Sequence, residues 1–176
     1  MLNFVLFVLL ASLNTSEYDG MIFWQENRAI DWTDFKGIPN LTSPYDAEAN
    51  SGVRYTYTFT TQGSAALVNF EVHSFFNAEQ SWIKSQKQTD FLLEHEQLHF
   101  DISELHARKL KKAFGEYEFS KSPKKEIEKI FNKINRERAE MQVQYDKESD
   151  HSKNKLAQAK WKAFVKAELS TLSRYQ

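Results

Sequence analysis

The chain has 176 residues, enough for one domain with a substantial core, and it contains no cysteine. Disulfides, thiolate metal sites and cysteine nucleophiles are thereby excluded. With 23 Lys and Arg against 24 Asp and Glu, the net charge is −1 and the signs are mixed, so the electrostatic footprint of a nucleic-acid binder is absent.

In chain order, residues 2–13 form an almost wholly apolar run followed by polar Asn14, Thr15, Ser16 and Glu17. The run is too short to span a bilayer and suits the apolar region of a signal peptide, which predicts a leader over 1–16 and a secreted or periplasmic product. No Lys or Arg precedes the run and no small-x-small cleavage site follows it, and the alternative is a buried N-terminal element. No second apolar run follows, so a soluble mature domain without a membrane span is expected over 17–176.

Residues 21–32 predict two short extended segments around a polar turn, and Gly37 and Pro39 mark a loop that continues to about residue 51. Residues 53–60 alternate strictly, with Val53, Tyr55, Tyr57 and Phe59 on one face. Residues 66–76 place Val68, Phe70, Val72 and Phe76 on one face and His73 on the other. Together they predict an antiparallel hairpin, with His73 exposed.

Three helices follow. The first starts near Thr89 as cap and ends near Gly115. Ser122 as cap and Pro123 in the first turn open the second, with a stripe of Ile127, Ile130, Phe131, Ile134, Met141 and Tyr145 that ends near Asp150. The third runs from about Asn154 and carries Trp161, Phe164, Val165 and Leu169. The predicted class is α+β, with a small N-terminal antiparallel sheet (17–83) packed against three helices (84–176).

The first helix carries the chemistry. It contains His95-Glu96-Gln97-Leu98-His99, a His-Glu-x-x-His pattern in the middle of an apolar stripe formed by Phe91, Leu92, Leu98, Ile102, Leu105, Leu110 and Ala113. Residues four apart are stacked on a helix, so both imidazoles can reach one ion, as zinc–nitrogen bonds of about 2.0–2.1 Å require. Glu96 is rotated about 100° from His95, beside the ion, where it can take a proton from a water that the metal holds. The bland reading is two core histidines flanking a glutamate, but buried imidazoles need partners, and a metal supplies one.

A catalytic zinc takes three protein ligands. His106 lies on the same side of the wheel but about 10.5 Å along the helix from His99, which suits a core histidine better. Glu104 points away, and Asp101 is suited to orienting a neighbour. Elimination leaves His151, which on local composition alone reads as a surface histidine in a polar loop. Tyr145 is a candidate hydrogen-bond donor to a developing oxyanion, or else a core residue ending its stripe.

Several stretches carry a resemblance to a known family: Asp31-Trp32-Thr33-Asp34-Phe35-Lys36-Gly37 with Pro39, the Ala47-Glu48-Ala49-Asn50-Ser51-Gly52-Val53 and Ser81-Trp82-Ile83-Lys84 segments, the helix from Thr89 to Ile102, and Tyr145-Asp146 with Glu148 and His151. In these the chain resembles uncharacterised exported bacterial proteins regarded as zinc-dependent proteases. The tail of the family pattern reads Tyr-Asp-x-Glu-Thr-x-His-Gly. Here Ser149 replaces Thr, and Ser152 stands where the Gly would suit a left-handed turn. The resemblance implies a zinc peptidase.

The combined expectation is a zinc metallopeptidase acting on a peptide or protein, with His95, His99 and His151 on Zn²⁺, Glu96 as base and Tyr145 near the oxyanion. One strand of the hairpin offers an edge for an extended substrate. The rival expectations are a catalytically inactive zinc-binding module of the cell envelope and a metal-free helical domain.

Overall fold

The computed structural model describes residues 20–176, so the expected leader over 1–16 lies outside the described residues. The alternating segments form the longest strands. β3 (Ser51–Gln62) and β4 (Ala65–Asn77) pair antiparallel from Ser51↔Phe76 to Gln62↔Ala65. The two-residue turn between them places Gly63 at φ +63°, the left-handed position such hairpins give to glycine. β1 (Met21–Phe23) adds on the other side of β4, giving the order β1-β4-β3. His73 is exposed on the outer face, against the Phe23 ring at 5.2 Å.

The loop expected up to about residue 51 holds one more extended piece. β2 (Ala47–Glu48) pairs with β5 (Trp82–Ile83) in a separate two-stranded sheet. Two residues are too few to show alternation, so only the fold could reveal them.

α1 (Asp90–Gly115) begins where Thr89 Oγ1 accepts from Leu92 N at 3.2 Å. α2 (Lys124–Ser149) begins one residue later than the sequence suggests. Pro123 is its cap without a side-chain bond, and Glu126 bends back to accept from Ser120 N at 3.0 Å. α3 (Lys155–Thr171) is capped by Asn154 Oδ1, which accepts from Ala157 N at 3.1 Å. The fold is α+β, a small antiparallel sheet with three helices, as its periodicities predict.

α1 is the axis of the molecule, because its burial extends well beyond the predicted stripe. Three core clusters draw on it. Leu92 and Phe100 pack with Ile30, Phe35, Phe76 and Ile83; Ala107, Leu110 and Phe114 with Val53, Val72, Ile127 and Ile134; Leu98 and Ile102 with Tyr145, Trp161 and Val165. Each fully buried Leu, Ile or Phe contributes about 1.5–3 kcal/mol relative to exposure.

A helix enclosed on every side must also satisfy buried polar groups. Glu104, which the wheel turns away from the stripe, is buried and accepts from Arg108 Nε (2.8 Å) and Ser74 Oγ (2.7 Å), while Arg108 Nη1 donates to Leu169 O at 3.0 Å. Asp101 accepts from Trp24 Nε1 and Gln97 Nε2, both at 2.8 Å. This network ties the segment after β1, strand β4 and the end of α3 to α1.

His106 is a core histidine, fully buried, with Nδ1–H donating to Ile102 O at 2.8 Å and Nε2 unpartnered. Burial pushes its pKa down to about 4. An unfolded chain takes up this proton near pH 6.5. Stability from the neutral ring is therefore complete above about pH 6.5 and lost as pH falls towards about 4, by up to about 3 kcal/mol. We predict that His106→Phe has a shallower loss of urea midpoint than wild type between pH 7 and 4. Parallel midpoint curves would exclude the effect.

Candidate metal centre

The centre is built where α1 and α2 cross. His95 and His99 lie one turn apart on α1, and their Nε2 atoms approach to 3.2 Å. Gln142 and Asp146 lie one turn apart on α2 and face them. Gln142 Nε2 donates to the His99 main-chain oxygen at 2.9 Å. That oxygen can only accept, so the orientation of the amide is decided and Gln142 Oε1 faces His99 Nδ1. Nδ1 must then carry the hydrogen, and the Nε2 lone pair of neutral His99 points at its neighbours.

Asp146 Oδ1 is an acceptor as well, and His95, whose Nδ1 is buried without a partner, is free to present its Nε2 lone pair beside it. Asp146 Oδ1 lies 3.0 Å from His99 Nε2 and 3.2 Å from His95 Nε2. Three ligand atoms thus form a triangle with edges of 3.0–3.2 Å. A tetrahedral ion with bonds of about 2.0–2.1 Å sets its ligand atoms about 3.3–3.4 Å apart, close to these edges. Lone pairs converging at this distance repel unless a proton or a cation lies among them, and a divalent cation can take the place of the proton.

The charges agree with this picture. Burial lowers the proton affinity of His95. For His99 burial acts the same way, but the bond to Asp146 and the nearby Glu96 charge outweigh it, and its pKa is raised. Burial pulls Asp146 upward, yet its bonds to His95 and His99 hold it well below the usual carboxylate range. Among the described residues, the His, Asp or Glu group whose ligand atoms all lie within 4.8 Å of one another is His95, His99 and Asp146, and it could hold a metal ion.

Glu96 is buried beside this triangle. Its Oε2 accepts from Ala49 N at 2.8 Å, which fixes the carboxylate against the segment between β2 and β3. Burial pushes its pKa up to about 7, against the opposing pull of His99 and the Ala49 bond.

Tyr145, next to Asp146, is fully buried. Its ring lies over His95 at 4.7 Å and edge-on to His99 at 5.0 Å, and Trp161 packs behind it at 5.7 Å. The hydroxyl is sealed from solvent without a hydrogen-bond partner, and burial raises its pKa further. The ring is a wall that holds both imidazoles.

His151 stands beside the triangle. Its Nδ1 is 3.6 Å from Asp146 Oδ1, and its ring lies 4.4 Å from that of Tyr45, a loop residue that sequence reasoning passed over. The atom from α2 that lies against both helix imidazoles belongs to Asp146, which the sequence offers only as one carboxylate among many. Its signal was the Tyr-Asp pair of the family pattern, and Gln142, one turn earlier, had none.

The sequence matches the model of a family described as "Bacterial protein of unknown function (DUF922)" over residues 35–152. The chain belongs to this family. No curated protein and no solved structure matches it. The DUF922 match covers both halves of the centre, from the Tyr45 loop through α1 to the turn after α2.

That turn is strained. Asp150, His151 and Ser152 have φ of +48°, +47° and +73°, three successive non-glycine residues in the left-handed region, each costing about 1–2 kcal/mol. His151 N donates to Asp146 O (3.0 Å) and Asn154 N to Ser149 O (2.7 Å), and these bonds hold the turn. Ser152, at the position of the family's Gly, does have the backbone that glycine adopts freely. Ser152→Gly should therefore stabilise the protein by about 0.5–1 kcal/mol, after allowing for glycine's larger freedom when unfolded. A urea midpoint that falls in this variant would contradict the strain.

Proposed function

We propose that this DUF922 chain is a zinc-dependent peptidase, with His95, His99 and Asp146 as ligands and Glu96 as general base. The observation that supports it most is the convergence of three lone-pair-bearing atoms at 3.0–3.2 Å, with a buried carboxylate alongside. Gln142 fixes the His99 ring and its tautomer, and Tyr145 holds both rings from behind. Such hydrogen-bonded supports are what a metal site needs to keep its ligands aimed.

Held by His95, His99 and Asp146, zinc would supply Lewis acidity, bringing the pKa of water towards about 7 and drawing charge from a carbonyl oxygen. Glu96 takes a proton from the water as its oxygen attacks the carbonyl carbon. It returns that proton to the nitrogen as the carbon–nitrogen bond breaks. Because Ala49 N engages Oε2, the other oxygen is the one left for the proton. β3 is an edge strand of its sheet, and an extended peptide can pair along it. The apolar run at residues 2–13 supports a place outside the cytoplasm.

Glu96→Gln should retain one zinc per chain while cleavage of an unfolded protein substrate falls by about 10²- to 10⁴-fold, the usual contribution of a general base. Asp146→Ala should lose zinc. Wild-type protein should also melt at a higher temperature with zinc than with chelator, since a ligand at a hundred times its Kd adds about 2.7 kcal/mol. Undiminished cleavage by Glu96→Gln, or by chelated wild type, would refute the peptidase reading.

A further inference from the structure

The side chains of the centre lie along a gradient of exposure, 4% for His95, 13% for His99, 30% for Asp146 and 38% for His151. Tyr45, against the His151 ring, is exposed. The ion seat is therefore deepest at His95 and opens to solvent past Asp146, and the His151–Tyr45 pair stands at that opening. A substrate approaching from that side meets this pair.

Both members are held there by construction. His151 is fixed by the bonded left-handed turn that ends α2. Tyr45 belongs to a loop anchored to the strand region, where Lys84 Nζ donates to Ser43 O at 2.7 Å, Lys84 N to Asp46 O at 2.9 Å and Tyr45 N to Ser43 Oγ at 3.1 Å. At 3.6 Å the His151–Asp146 separation exceeds a hydrogen bond, so the ring remains free to donate elsewhere.

We propose that His151 is a catalytic residue rather than a metal ligand: its imidazole N–H donates a hydrogen bond to the substrate carbonyl oxygen as that oxygen gains negative charge, and Tyr45 is the positioning residue that holds the ring. The proposal rests on the hydrolase reading above. It assigns to His151 the oxyanion role that the sealed hydroxyl of Tyr145 is badly placed to fill. A donor aimed at developing charge does most when it is fixed before the reaction, and both anchors supply that fixing.

The test uses the full chain loaded with cobalt(II), whose visible spectrum reports its ligands. Two probes are compared, a peptidyl phosphonamidate, which carries the tetrahedral anion of the transition state, and the corresponding intact peptide in a Glu96→Gln background. His151→Ala should keep the cobalt spectrum and metal stoichiometry of wild type and bind the peptide equally well. It should bind the phosphonamidate about a hundredfold more weakly, the usual loss when one oxyanion donor is removed.

His151→Gln, which retains an N–H, should recover part of that affinity. Tyr45→Phe should behave as wild type, and Tyr45→Ala should weaken the phosphonamidate selectively. A cobalt spectrum altered in His151→Ala as in Asp146→Ala would make His151 a ligand and overturn the proposal, as would equal phosphonamidate affinity in His151→Ala and wild type. Absence of peptide cleavage by wild type, with the His151 dependence of phosphonamidate binding intact, would fault the peptidase reading alone and support this one.

Discussion

The centre depends on the grip of Gln142 on His99. One amide donates to a main-chain oxygen of α1 and accepts from a ring nitrogen of the same residue, so a single side chain fixes the approach of α2, the orientation of the imidazole and its tautomer together. Asp146, one turn farther along α2, follows from that approach. Its Oδ1 arrives at the two Nε2 atoms because the helices are already pinned four residues before it. Without this clamp the crossing of α1 and α2 would rest on Asp146 itself and on apolar contacts, which are non-directional and cannot set a side chain within a few tenths of an ångström.

The rest of the fold keeps α1 in one place. The sheet covers one side of it and α2 and α3 the other, and its buried polar residues are bonded to strands, loops and the end of α3. Gln97 illustrates the economy of the helix. Lying between the two histidines on a different face, it accepts from Ile30 N and donates to Asp101, so the motif's spacer residues lock the N-terminal segment onto α1. Ser51 does the same for β3, with its hydroxyl between His99 O and Ser103 Oγ. The candidate ligands are thus attached to a helix that cannot rotate without breaking contacts on every side.

How much of this was legible follows from periodicity. The hairpin alternates over enough residues to reveal its inward face, and α1 announces its start through Thr89 and its histidines through their spacing. β2 and β5, two residues each, carry no period at all. Asp146 was hard to single out for a different reason. A histidine is rare enough here to be considered individually, whereas a carboxylate is one of 24 acidic side chains, and only its position one turn from Gln142 on the crossing helix makes it special. Tyr45 lies in a loop whose local sequence says nothing of the ring it meets. The turn at Ser152 was half legible: a glycine in the family pattern signals positive φ, and the chain keeps that backbone with serine.

Charge balance gives a reason for a carboxylate, rather than a third imidazole, in a group that could hold a divalent ion. Three neutral histidines around a divalent cation would leave two positive charges in a pocket whose two imidazoles are 4% and 13% exposed, and uncompensated charge in such surroundings is expensive. Asp146 removes one of those charges directly. Glu96, fully enclosed and bonded to Ala49 N, balances the second when it is ionised. A divalent ion held by His95, His99 and Asp146 next to ionised Glu96 would be electrically neutral as a group, the state a buried site stabilises best. A proton passed from a water at the ion to Glu96 would stay inside the group and leave its total charge unchanged, so this balance would survive the transfer that the proposed mechanism asks of Glu96.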